Sequence, residues 1–98
     1  MTETNGFASL RGKTLLTVKQ KKPFQIVGVD DTRVTFVPKN GNGTERWEYR
    51  STIEELMNLC RNKGKLSVAD VLEVYPDTRN SSYLTTIVHE LTGHKFSM

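Results

Sequence analysis

Long apolar runs are missing from this chain. No uninterrupted apolar stretch exceeds two residues, as in Leu15-Leu16 and Val71-Leu72. A bilayer-spanning helix needs about 18–20, so no membrane-crossing segment and no membrane partner are expected. The start, Met1-Thr2-Glu3-Thr4-Asn5-Gly6, has neither the basic flank nor the apolar centre of a secretion signal. A cytoplasmic protein is the expectation. Cysteine is down to one residue, Cys60, which excludes an internal disulfide and a cysteine zinc cage. Phosphate-loop glycines are also lacking. Gly41-x-Gly43 has no third glycine, no lysine and no helix after it, so a nucleotide cofactor site is excluded.

Catalytic constellations are equally sparse. Cys60 falls on an apolar helical stripe, where a thiol is a core filler. His89 and His94 are five apart with Gly93 between them, poor spacing for one helix face, and a metal would want a third ligand. Asp30-Asp31 reads as a turn rather than a carboxylate pair, because aspartate hydrogen-bonds the backbone that follows it. No enzyme activity, metal or cofactor is expected.

What the chain does have is two hydrophobic rhythms. Its 98 residues, 36% of them apolar, suffice for one domain with a modest core. Residues 1–12 read as a flexible lead-in, and 13–98 as a single α+β domain. The first half, to about residue 50, alternates with period two. Lys13-Thr14-Leu15-Leu16-Thr17-Val18-Lys19 is the first strand, and Gln20-Lys21-Lys22-Pro23 breaks it. In the second strand Phe24, Ile26 and Gly28 point one way and Gln25, Val27 and Val29 the other. Arg33 to Val37 is the third, ended by Pro38. Asn40-Gly41-Asn42-Gly43 is the strongest turn signal. Glu45-Arg46-Trp47-Glu48-Tyr49-Arg50 follows with clean alternation, Trp47 and Tyr49 expected inward and the charges outward. Short connections imply a curved antiparallel sheet of three or four strands. Strands two and three are apolar on both faces, so the second face needs its own cover, from sheet curvature, the N-terminal segment, a partner domain or a second copy.

The rhythm changes at Ser51. Ser51-Thr52-Ile53-Glu54 has the form of a capping box. Ile53, Leu56, Met57 and Cys60 then repeat at helical spacing, and Gly64 suits the left-handed stop. Ser67, with Asp70 three residues on, caps a second helix carrying Val68, Val71, Leu72 and Tyr75. Pro76 ends it. Asn80 or Ser81 caps a third, with Leu84, Ile87, Val88 and Leu91 inward and Gly93 closing it. The helices span about 51–62, 67–75 and 81–92. His94 to Met98 reads as a short last strand.

Nucleic acid is the partner class that composition leaves open. Net charge is +3, and residues 1–50 carry nine Lys/Arg against five Asp/Glu. The segments Leu66-Ser67-x-Ala69-Asp70-Val71-Leu72, Asn80-Ser81-Ser82-Tyr83-x-x-x-Ile87 and Leu91-x-Gly93 resemble the layout of a winged-helix or helix-turn-helix domain. The resemblance covers about half the chain and lies in spacing. It implies a third helix entering a DNA major groove, with Arg79, Asn80, Ser82, Thr85 and Thr86 at the contact. Lys19, Lys21 and Lys22 would hold phosphates. The chain departs from the pattern in having no Lys or Arg between Ser81 and Thr92. Trp47 and Tyr49 could serve as a stacking platform for single strands, but same-face aromatics on a strand that leads into an amphipathic helix read first as core. The expected function is a small non-catalytic nucleic-acid-binding protein; the alternative is a protein-interaction or oligomerisation module.

Overall fold

Prolines and turn residues cut the first half of the chain into four short strands, and capping residues cut the second into three helices. The computed structural model describes residues 6–18, 20–39 and 44–93. Strands β1 (Thr14–Leu16), β2 (Pro23–Val29), β3 (Arg33–Pro38) and β4 (Arg46–Tyr49) form an antiparallel sheet in the order β1-β2-β3-β4. Helices α1 (Arg50–Lys63), α2 (Val68–Val74) and α3 (Ser81–Thr92) follow. Pro23 opens β2 and Pro38 closes β3, the end positions that a residue without an N–H tolerates. The Asn40–Gly43 turn, Lys19 and the expected strand over His94–Met98 lie outside the described residues.

Residues 7–10 are not part of a loose lead-in. Phe7–Leu10 form a 3-10 turn that buries Phe7 and Leu10 in the core. Gly12 N–H donates to Ile26 O and Ile26 N–H to Lys13 O, which ties the entering segment to β2.

One inserted residue changes the phase of β2. Ile26 pairs with Phe36, but the next pair is Gly28 with Thr35, so Val27 and Gly28 together face one residue. Phe24, Ile26 and Val29 therefore share the inner face, while Val27 is exposed. The strict alternation expected for β2 fails at this bulge. The inner face is then built from cross-strand rows: Leu15–Phe24, Ile26–Phe36–Arg46 and Val29–Val34–Glu48. Tyr83 of α3 closes over it, 5.0 Å from both the Phe24 and Phe36 rings. Ile53, Leu56, Val71, Leu84 and Ile87 are fully buried against the same face. Each such side chain contributes roughly 1.5–3 kcal/mol.

Two of the three helix starts differ from expectation. Ser67 forms the full capping box with Asp70. Ser51 does not, because β4 runs straight into α1 with Tyr49 at the cap position, and Ser51 already lies in the first turn. Asn80 is the cap residue of α3 but makes no side-chain cap bond, its amide being engaged elsewhere. Gly64 and Gly93 take the left-handed conformation, with φ of 80° and 78°.

The bulge makes a direct test possible. Val29→Thr places a hydroxyl in the core and is expected to cost about 1–3 kcal/mol. Val27→Thr should stay within about 0.5 kcal/mol. Urea unfolding midpoints at constant slope measure both; equal losses would contradict the phase shift.

Candidate nucleic-acid interface

The residues assigned to a recognition helix do not all lie at the surface. Thr85 and Thr86 are 0% and 8% exposed, which corrects the expectation that they face DNA. Their hydroxyls donate to the carbonyls one turn back, Ser81 O at 2.7 Å and Ser82 O at 2.9 Å. A threonine satisfied this way enters a helical core at little polar cost. Leu84 through His89 are all buried, because α3 packs against α1, α2 and β1 together. His89 Nε2 meets Leu66 O at 2.8 Å, linking α3 to the α1–α2 connection. Ser82 is half-buried and Arg79 is exposed. Asn80 is half-buried and fully engaged: its Nδ2 donates to Glu48 Oε2 at 2.6 Å, and its Oδ1 accepts from Arg46 Nη1 at 3.0 Å.

That cluster settles which way β4 faces. Arg46 and Glu48 take the inner positions, each half-buried at the margin of the core. Arg46 also lies 5.5 Å from the Tyr83 ring centroid, and Thr78 Oγ1 donates to Glu48 at 3.5 Å. Trp47 and Tyr49 are thereby turned outward, at 43% and 48% exposure. The expected alternation is present, but its sign is reversed. The charged pair faces in because the α2–α3 connection supplies partners for it.

Outward, β4 and β3 build an aromatic platform. Trp47 pairs across the sheet with Thr35, and Tyr49 with Arg33. The Trp47 and Tyr49 rings meet edge to face, centroids 5.0 Å apart and planes at 78°. Arg33 places its guanidinium 4.9 Å from the Trp47 centroid, a cation–π contact. Leu16 and Val27 are exposed farther along the same region. No described helix covers this face.

The two ends of the platform differ in charge. At one end is the β2–β3 turn, where Asp30 Oδ1 accepts the N–H groups of Thr32 at 2.8 Å and Arg33 at 2.7 Å. Those two bonds hold the Asp30 carboxyl below its ordinary pKa. Arg50 donates through its backbone N–H to Thr32 O at 2.7 Å and through Nη1 to Asp30 O at 2.9 Å. Arg11 Nη2 reaches Val29 O at 2.6 Å. A cavity of about 430 Å³ opens beside this turn, lined by Asp30, Asp31, Thr32, Arg33 and Tyr49.

At the other end lie Lys21, Lys22 and Lys39, all exposed. The β1–β2 connection that carries the first two is braced by Thr17, whose Oγ1 accepts Lys22 N–H at 3.0 Å and whose carbonyl accepts Lys21 N–H at 2.9 Å. Lys21 adopts φ of 57° there. Lys39 N–H donates to Pro23 O. Arg33 and Lys39 are six steps apart along one extended segment, roughly 20 Å at the usual strand rise.

Elsewhere the chemistry is structural. Cys60 is buried, and burial pushes its thiol pKa up. Among the described residues no group of His, Cys, Asp and Glu is arranged to hold a metal, and no helix is long and apolar enough to cross a membrane. No protein-family model, curated protein or solved structure matches this chain.

The inverted phase of β4 predicts an unusual ranking of aromatic substitutions. Trp47→Ala should cost about 1–3 kcal/mol, since the half-exposed indole loses its ring pair and only part of a core residue's burial. Phe36→Ala should cost about 3–5 kcal/mol, as for a filled core site. Urea unfolding followed by circular dichroism measures both, and the reverse ranking would contradict the assignment.

Proposed function

We propose that this chain is a non-catalytic nucleic-acid-binding protein that holds an unpaired strand on the open face of its sheet. The observation that carries the reading is the exposed Trp47–Tyr49 pair with Arg33 against it. The two rings contact each other edge to face and Arg33 lies against Trp47, and the parts of both rings left exposed present π-surface and cationic charge to whatever binds. Bases in a duplex have their own faces covered by stacking, so the fitting occupant is single-stranded. Base–aromatic stacking is worth about 1–3 kcal/mol per base. Lys21, Lys22 and Lys39 are placed to neutralise phosphates of the same strand. Three such contacts give a salt slope of about −2 on logarithmic axes for a single strand. The basic excess of residues 1–50 agrees with this placement. The contact then lies on the sheet, and α3 serves as the core that supports it.

A second reading is a protein-interaction module. Leu16 and Val27, 53% and 44% exposed, favour it because they add apolar area to the aromatic face. Such contacts would respond little to salt.

Titration with an oligothymidine separates the two, with fluorescence of Trp47, the sole tryptophan, as the readout. Quenching at low salt is expected, weakening with the stated slope as salt rises. Tyr49→Ala should weaken binding by about 5- to 100-fold, as loss of one stacked base requires. Arg79→Ala should leave it unchanged. Absence of quenching at low salt overturns the proposal, and concentration-dependent self-association without it supports the second reading.

A further inference from the structure

We infer that the cavity at the β2–β3 turn is a base pocket selective for guanine, with Asp31 reading the base's hydrogen-bond donors. The inference rests on the single-strand reading above and gives it a specificity. Tyr49 is shared: its ring belongs to the platform and also lines the cavity. A strand whose bases stack along Trp47 and Tyr49 therefore delivers its next base to this pocket.

The polar lining then selects among bases. Asp30 is committed to the turn, its Oδ1 holding two backbone N–H groups. Asp31 is the neighbouring carboxylate, exposed and with no side-chain hydrogen bond among the described residues. An ionised carboxylate is an acceptor only, and its two oxygens are best met by two adjacent donors. Guanine offers that pair in its N1–H and N2–H groups. Adenine and cytosine offer one amino group each, and thymine one ring N–H. Arg33, also in the lining, supplies donors suited to guanine O6 and N7. Two carboxylates in the lining disfavour a phosphate beside them, while Arg33 in the same lining suits a base's acceptors. The lysine-bearing end of the sheet takes the phosphates instead.

The turn is held in place before any ligand arrives. Arg50 grips the carbonyls of Asp30 and Thr32, and Arg11 grips that of Val29. Little ordering is left for the strand to impose, which favours discrimination over adaptation.

The experiment compares oligothymidines of equal length carrying one central guanine, adenine or cytosine, again by Trp47 fluorescence, on the intact chain. A single guanine avoids self-association of the oligomer. The guanine oligomer should bind about 5- to 100-fold tighter than the other two, the span of one bidentate contact. Asp31→Asn, which offers one acceptor where two are needed, should reduce that preference to within about twofold. Circular dichroism confirms that the variant is folded. Binding of all three oligomers with no guanine preference overturns the pocket and leaves the platform standing. A preference that survives Asp31→Asn also overturns the role of Asp31. If no oligomer binds, the single-strand reading and the pocket fall together.

Discussion

Glu48 sits on the helix side of the sheet, and Asn80 Nδ2 meets its carboxylate at 2.6 Å. An unpartnered carboxylate there would carry a desolvation penalty of a few kcal/mol. With Asn80 donating to it and Arg46 donating in turn to Asn80, the charged side of β4 is acceptable at the edge of the core. The aromatic side then has nowhere to go but outward. The exposure of Trp47 and Tyr49, the Arg33 contact and the shared wall of the turn cavity all depend on that one choice of phase. The network also pins the start of α3 to the sheet, so the helix that fills the core and the strand that presents the platform are fixed by the same bonds.

Much of the architecture was legible in the residues. The change from a two-residue to a helical rhythm places the sheet before the helices. Pro23, Pro38, Ser67 with Asp70, Gly64 and Gly93 mark boundaries by simple backbone chemistry, and the structure uses each of them. What escaped was the phase of alternation. Trp47 and Tyr49 outscore Arg46 and Glu48 in hydrophobicity, so a local reading turns them inward. The residue that reverses this, Asn80, is more than 30 positions away in sequence, and no local pattern signals it. The bulge at Val27–Gly28 escaped for a related reason: Val27 and Val29 fit a strand equally well on either face. Thr85 and Thr86 look polar in sequence, yet each hydroxyl is satisfied within its own helix.

On the proposed reading, the platform and its surroundings would divide the work of holding a strand by charge. Cations at the β1–β2 connection and after β3 suit phosphates. Carboxylates at the β2–β3 turn suit the donor edge of a base. Between them the aromatic rings are indifferent to sequence, since every base has a π-face. Affinity and selectivity would then arise at different places on one surface. The buried polar residues of α3 support that surface from behind and take no part in contact.

The orientation of β4 underlies all of this, and collisional quenching of Trp47 fluorescence by acrylamide tests it most directly. Trp47 in the folded protein should be quenched readily, though less than in the urea-unfolded chain, because the indole is 43% exposed on the open face of the sheet. A folded protein whose tryptophan is strongly shielded from acrylamide would show that Trp47 faces the helices, and would contradict the account.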